Sequence, residues 1–178
     1  ISDENSVTVT PITLLQTYGI DDALIHEILE TDTSIDFGSY DPVEIIDSGI
    51  GDTVEAARIL LHAQQYFALV NALVALAEEQ GYEHNAAIEL VIDSIYEEED
   101  HSNLVGDNGG DITTLADLIT IMFPDYGDTT NTVEDPLTGE QITLSEYAAS
   151  NIVAVNQVIA EYIPDVDSTE VYVHSDEA

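Results

Sequence analysis

The stretch DTVEAARILLHAQQYFALVNALVALAEEQG, residues 52–81, decides the fold of this chain. Its apolar residues recur at helical spacing, and between Tyr66 and Ala77 they cover nearly every face of the predicted helix. A helix that is apolar almost all round is enclosed by other helices. Gly81 is typical of the position just after a helix C-terminus. The stretch therefore predicts one long central helix over 52–80, with the other elements packed around it.

This central stretch also approaches the length of a membrane span, because residues 59–77 carry no formal charge. His62, Gln64, Gln65 and Asn71 interrupt it, however, so a buried helix of a folded domain is the preferred interpretation, with no membrane insertion. Asn71 is a lone polar residue in apolar surroundings. We expect it to be buried and hydrogen-bonded, fixing the register of the helix.

Capping motifs mark the predicted helix starts. A Ser, Thr or Asp at the N-cap accepts a hydrogen bond from a free backbone N–H, and a Glu three residues later reaches back to the N-cap N–H. The predicted pairs are Asp41 with Glu44, Asp52 with Glu55 and Thr143 with Glu146, while Thr10 precedes Pro11 at a first helical position. Pro124 and Pro164 are expected to end two later helices. Together these signals predict an all-α bundle of about six or seven helices, forming a single domain over 1–178.

The two ends of the chain differ from this helical pattern. SVTVT (6–10) and EVYVHS (170–175) alternate with period two, so segments 1–10 and 169–178 are expected to be strand-like. A lone pair of strands is marginally stable. The segments could pair with each other on the bundle, belong to neighbouring domains or linkers, or add to a sheet in another subunit.

The charge of the chain restricts its partners. There are 37 acidic residues and one basic residue, Arg58, giving a formal net charge of −36, as in halophilic proteins. Such a surface repels itself and calls for abundant cations, either salt or Ca2+. Nucleic acid and anionic membranes are poor partners because phosphate binding needs Lys and Arg. A mimic of DNA that blocks a basic protein is the alternative. The chain has no Cys, which excludes disulfides and thiolate metal sites.

Three segments of the first half resemble a known family. TVTPITLL (8–15), IDFGSYDPVEII (35–46) and GDTVEAARILLHAQQYFALVNAL (51–73) are similar to a helical module of large bacterial surface and secreted proteins. In that family the module follows a β-sandwich repeat, cadherin-like or carboxypeptidase-regulatory-like. The resemblance implies an extracellular or cell-surface, adhesin-like setting and no catalytic residues. The partners it implies are other domains of the same large protein. Neighbouring subunits are the expected partners if the terminal strands pair between chains. The chain departs from the family in its acidity.

A possible calcium loop lies at EEEDHSNLVGDNGGD, residues 97–111. Ca2+ takes six to eight oxygen ligands, and the acids at 97–100 follow a predicted helix whose dipole disfavours them. An EF-hand starting at Asp107 would place Ile112 and Leu118 where Gly and Glu are needed. The alternative is a helix N-cap at the last residue of the loop. The candidate ligands are Asp100, Asn103, Asp107, Asn108 and Asp111.

A second acidic loop, PDYGDTTNTVEDPLTGE at 124–140, offers Asp125, Asp128 and Asp135 as further metal candidates. It is long for a connection within a bundle. It could hold a cation, contact a partner, or form a small hairpin around DPLTGE.

Catalytic signals are weak throughout the sequence. The five His have no metal-binding helical spacing, so zinc is not expected; we expect His62 to be a hydrogen-bonded residue in or near the core and His101 to be at most a weak ligand. With 37 acids, chance carboxylate pairs are inevitable. The sequence therefore predicts a non-catalytic structural or adhesive module. A self-assembling filament or surface-layer subunit, and an accessory domain of a carbohydrate-active enzyme, are the alternatives.

Overall fold

The structure, a computed structural model, describes residues 9–162. This part of the chain confirms the predicted all-α bundle around a long central helix. Its helices are α1 (Pro11–Thr17), α2 (Asp22–Ile28), α3 (Pro42–Ser48), α4 (Thr53–Glu79), α5 (His84–Glu97), α6 (Ile112–Met122) and α7 (Leu144–Tyr162). Two 3-10 turns, His101–Asn103 and Pro124–Gly127, and an antiparallel hairpin of β1 (Thr132–Glu134) and β2 (Gln141–Thr143) lie in the connections.

Helix α4 is the centre of the bundle. It contacts α1, α3, α5 and α7, while α6 packs mainly on α7, next on the 3-10 turn Pro124–Gly127 and then on α5. Tyr66, Leu69 and Leu73 of α4 are fully buried, and each such side chain contributes about 1.5–3 kcal/mol by leaving water. By length and composition, α4 is the one helix within 9–162 that could cross a membrane, yet 56% of its most apolar window is buried inside the fold.

The enclosure of α4 is less complete than the sequence predicts, because Asn71 and Ala75 are exposed. The expectation that Asn71 is buried is therefore wrong. Asn71 lies about 200° around the helix from the buried Leu69, which directs it outward. There its Nδ2 donates to the carbonyl of Phe67 (2.9 Å) and its Oδ1 accepts from the Tyr18 hydroxyl.

The predicted N-caps are confirmed at Thr10, Asp41 and Asp52, whose side-chain oxygens accept backbone N–H groups of the first turn. The reciprocal bond from Glu is less general. Among the predicted Glu partners, Glu146 alone closes the box within the described chain, accepting the Thr143 N–H at 2.8 Å. Glu55 instead directs its carboxylate to Arg58.

The predicted helix ends agree with the structure where it describes them. After α4, the Gly81 N–H donates to Glu78 (2.9 Å) and the Tyr82 N–H to Ala77 (3.1 Å), the two bonds of a Schellman motif. Helix α6 ends at Met122, just before Pro124. Pro164, segment 169–178 and residues 1–8 lie outside the described residues. The expected terminal strands, apart from Val9 and Thr10, cannot be placed for that reason.

Candidate functional site

The acidic loop, which we define as residues 98–111 between α5 and α6, brings Asp100 and Asn103 together. The Asp100 carboxylate accepts the Ser102 hydroxyl at 2.8 Å and the Asn103 side-chain N–H at 2.6 Å. The Asn103 carbonyl accepts the backbone N–H of Asp111 at 2.7 Å. Oxygens that would ligate a cation therefore already serve hydrogen bonds within the loop.

Asp111 is the N-cap of α6, as the alternative interpretation of the loop predicts. Its carboxylate accepts the Thr114 backbone N–H at 2.9 Å and the Thr114 hydroxyl at 3.0 Å. These bonds, the backbone one first, hold the pKa of Asp111 below its ordinary value. Because the cap favours the ionised form, Asp111 keeps its charge without a metal partner.

Asp107 and Asn108 lie at the outer edge of the acidic loop, and both are exposed. The backbone carbonyl of Asn108 accepts the Gln157 side-chain N–H of α7 at 3.0 Å. Asp107 does not form a metal-binding group with two other His, Asp or Glu side chains of residues 9–162. The Asn108 backbone instead faces a neighbouring helix.

Gln65 of α4 is the residue that fixes the middle of the acidic loop. It is fully buried, and its side-chain carbonyl accepts the Gly106 N–H at 2.9 Å. Its Nε2 donates to the Gly106 carbonyl (2.8 Å) and to the Asn156 carbonyl of α7 (2.9 Å). One amide thus joins α4, the acidic loop and α7. A buried amide costs free energy unless its hydrogen bonds are satisfied, so this geometry is strongly specified.

Gly109 packs directly against α7. The Asn156 side chain donates to the Gly109 carbonyl at 3.2 Å. A Cβ at residue 109 would lie 2.4 Å from the Val153 carbonyl oxygen, and its φ of +82° suits glycine. Gly109, one of the glycines that suggested a metal-binding turn, is therefore needed for close approach to a helix.

These contacts bear on the predicted calcium site without deciding it. Within residues 9–162 no three His, Asp or Glu side chains are arranged to hold a metal ion. The Asp111 carboxylate bonds to Thr114 through Oδ2 alone, and a carboxylate oxygen that accepts a hydrogen bond can still ligate a cation. Ca2+ binding by the five candidate residues stays a prediction.

The second acidic loop contains the hairpin, one of the interpretations that the sequence allows. Thr132 pairs with Thr143 across β1 and β2. Asp135 turns the hairpin, accepting the Leu137 N–H (2.8 Å), and Asp128 accepts the Thr130 N–H (2.8 Å) just before it. Those backbone N–H groups are the first cause that lowers the pKa of each carboxyl. Asp125 is exposed in the preceding turn, and the three do not form a metal cluster.

His101 has a structural position that its sequence neighbours do not reveal. Its ring is buried, and Nε2 donates to the Ile95 carbonyl in the last turn of α5 at 2.7 Å. Nδ1 lies 3.3 Å from the Glu27 carboxylate, and the Tyr66 hydroxyl donates to the His101 carbonyl at 2.6 Å. The Ile95 carbonyl also accepts the Glu98 N–H at 3.2 Å, so His101 supplies a second donor in the last turn of α5.

Arg58, the only Lys or Arg of the chain, makes four side-chain hydrogen bonds within the fold. Its guanidinium donates to the carbonyls of Leu29 (2.7 Å) and Glu30 (3.2 Å) and to both carboxylate oxygens of Glu55 (2.9 and 2.7 Å). The hydrogen bond to Glu55 raises the pKa of Arg58. Its contacts hold the end of α2 on α4, where Glu30 has a φ of +50°. Arg58 is thus a structural residue.

His62 lies one turn after Arg58 and is half-buried. Its Nδ1 is buried and has no hydrogen-bond partner, contrary to the expectation of a hydrogen-bonded core histidine. Burial first, and then the charge of Arg58, lower the pKa of His62 below 6.5. His62 therefore favours its neutral form in the folded chain.

Sequence reasoning missed Gln65 and Asn156 as the residues that organise this region. Gln64 and Gln65 are adjacent and chemically identical, and only the orientation of α4 relative to the acidic loop decides which of them is buried. No family model, curated protein or solved structure matches the chain. The resemblance to surface-protein modules therefore rests on the motifs at 8–15, 35–46 and 51–73, and inferences about function start from the chain's own residues.

Proposed function

We propose that the chain is a non-catalytic structural or adhesive module of an extracellular bacterial protein, with an acidic surface that cations screen or stabilise, Ca2+ among them. The observation that carries the proposal is the separation of charge from the core. No Asp or Glu of residues 9–162 is buried, and the buried residues are overwhelmingly apolar. The repulsion of a −36 chain is therefore concentrated at its surface, where mobile cations can reduce it.

Many of these carboxylates have a structural task that requires their charge. Asp21, Asp41, Asp52 and Asp111 each accept backbone N–H groups at a helix start. Ionised caps favour the local structure, yet each adds to the total negative charge. Stability then depends on the balance between capping, which is local, and repulsion, which salt weakens.

The extracellular setting is supported by the resemblance of the first half of the chain to modules that follow β-sandwich repeats. The first described helix begins immediately after Thr10, at the position where that resemblance places the junction with a preceding strand. The proposed partners are accordingly other domains of the same large protein or neighbouring subunits. Sequencing the full gene tests this setting, and a full-length protein without flanking surface-protein domains would contradict it.

The test of the cation proposal is unfolding by urea in NaCl, MgCl2 and CaCl2 at matched ionic strengths. We expect the free energy of unfolding to rise with ionic strength in all three salts, because screening weakens repulsion between carboxylates. A free energy that does not change with any salt would refute the proposal.

Specific calcium binding has a separate signature, since a ligand that binds only the folded chain stabilises it in proportion to RT ln(1 + [L]/Kd). The free energy of unfolding would then be higher in CaCl2 than in MgCl2 at equal ionic strength. Asp107→Asn in the acidic loop should abolish that excess, while Asp93→Asn, at an exposed acid of α5, should leave it. If the two substitutions change the extra stabilisation by CaCl2 equally, screening is its only explanation and specific calcium binding is refuted.

A further inference from the structure

A groove between α4 and α7 exposes apolar surface that no described element covers. Two adjoining cavities of about 360 and 140 Å³ share Ala72, Asn151 and Ile152 as lining residues. Small side chains of α4, Ala68 and Ala75 among them, form its floor. The groove is therefore continuous along both helices.

Helix α7 adds an exposed apolar edge to this groove. Tyr147 and Val155 line it and are 38% and 53% exposed. Val158, 51% exposed, continues the same face one turn further on. Apolar side chains grouped along one helix face mark an interaction surface more often than isolated ones do.

One polar group in the groove lacks a partner. Asn156 lines the smaller cavity and is fully buried, and its Oδ1 accepts no hydrogen bond. The orientation of the amide follows from its Nδ2, which donates to the Gly109 carbonyl. Buried acceptors are normally satisfied. Because this oxygen has no exposed surface, an occupant of the groove would not reach it, and the unpaired acceptor does not select the occupant.

The walls of the groove restrict the conformation of an occupant. Both walls are α-helices, whose backbone groups are paired internally, so they offer no strand edge to extend. An occupant that satisfies its own backbone, as an α-helix does, fits walls of this kind. Between Ala68 and Glu79, and between Leu144 and Val155, the groove runs about 16 Å, which matches three helical turns.

The negative charge of the groove and of the chain favours a positively charged helix as the occupant. Glu79 lines the groove, and the only basic residue of the chain, Arg58, is occupied by Glu55 and two carbonyls. A second copy would bring another net charge of −36 to this surface. A helix with Lys or Arg on its flanks meets complementary charge instead.

We propose that the α4–α7 groove is the docking site of a cationic amphipathic α-helix of about three turns, which places apolar side chains on the alanine floor and basic side chains beside the acidic rim. The inference is independent of the surface-module function, because it rests on the shape, the exposed apolar lining and the charge of the groove.

The experiment titrates the full chain, at one ionic strength at which it is folded, with three fluorescent synthetic peptides. The first is an amphipathic Leu/Lys helix, the second replaces Lys by Glu, and the third is a scrambled Leu/Lys sequence without a helical face. We expect binding of the first peptide only. Equal binding of the scrambled peptide, or no binding of the first, would overturn the proposal.

A pair of variants locates the site. Val155→Asp places a charge in the groove, and Val54→Asp places the same charge at a residue of α4 outside it; both valines are 53% exposed. Each substitution adds negative charge, so attraction to the acidic surface alone would strengthen binding in both. Docking in the groove instead predicts that Val155→Asp weakens binding about tenfold or more, while Val54→Asp does not weaken it.

Two further results would contradict the proposal. Equal affinity in the two variants would assign the peptide to the acidic surface at large. A dimer of the free chain that only Val155→Asp dissociates, seen by sedimentation, would assign the groove to a second copy. Matching urea midpoints of the two variants confirm that both remain folded.

Discussion

Replacing Gln65 by Met should destabilise the protein far more than the same replacement at Gln64. Met has nearly the same length and shape as Gln, so packing changes little, but the three hydrogen bonds of the amide are lost. Gly106 N–H then loses its partner in a part-buried site. Each lost bond costs about 1 kcal/mol and an unsatisfied buried donor about 1–3 kcal/mol, which gives about 3 kcal/mol after partial compensation by the apolar side chain.

Gln64 is the matched control because it lies one residue earlier on α4 and is only partly buried. Its change to Met should alter the free energy of unfolding by about 0.5 kcal/mol or less. Urea unfolding at constant salt measures both variants. In thermal unfolding, a loss of about 3 kcal/mol corresponds to a midpoint about 6–12 °C lower for a chain of this size.

Hydrogen exchange gives the local readout of this prediction. The Gly106 amide should exchange faster in the Gln65 variant than in wild type, while the amides of α1 change only with global stability. Equal urea midpoints for the two Met variants would refute the role of Gln65 in holding the acidic loop against α4 and α7.

Gly109→Ala should lower the free energy of unfolding by about 2–5 kcal/mol, since it combines an unfavourable φ with a Cβ 2.4 Å from a carbonyl oxygen. Gly139→Ala, with φ of +74° and no atom within 4 Å of the added Cβ, should lower it by about 1–2 kcal/mol. Similar urea midpoints for the two variants would contradict the close packing of residue 109 on α7. His62 has a folded-state pKa below 6.5, so its contribution to stability is present above that pH and is lost as the pH falls through the lowered pKa. His62→Leu should therefore reduce the loss of stability on acidification in urea titrations at several pH values, and parallel curves would refute this. Arg58→Lys should lower the free energy of unfolding by about 1–3 kcal/mol, because an ammonium cannot bond to Glu55 and both carbonyls together. An unchanged urea midpoint would refute the structural role of the guanidinium.

The helix starts were predictable because a cap is a local event. Thr10, Asp41, Asp52 and Asp111 each bond to N–H groups two or three residues ahead, a distance that the sequence displays directly. The capping boxes were less predictable. Glu55 turns to Arg58, because an ion pair with a guanidinium competes with the N-cap N–H for the same carboxylate.

The structure of the acidic loop could not be predicted from its residue types and spacing. Its acids, amides and glycines suggest a cation site when considered alone. In the fold, only glycine fits at residue 109 because α7 passes beside it. The Asn103 carbonyl accepts the Asp111 N–H, and the Asp111 carboxylate accepts from Thr114 of α6. Nothing in the order of residues 98–111 indicates the helix against which they pack.

The sequence by itself determined the all-helical architecture, the long central helix and the acidic, apolar-cored character of this protein. Those features follow from interactions between near neighbours and from the helical period, both of which can be recognised directly in the sequence. Only the tertiary structure decided that Gln65 rather than Asn71 is the buried amide of α4, that His101 bonds to the last turn of α5, and that a groove stays open beside α7. The partners of Gln65 lie 41 and 91 residues away, and contacts of that separation depend on how helices are placed in space.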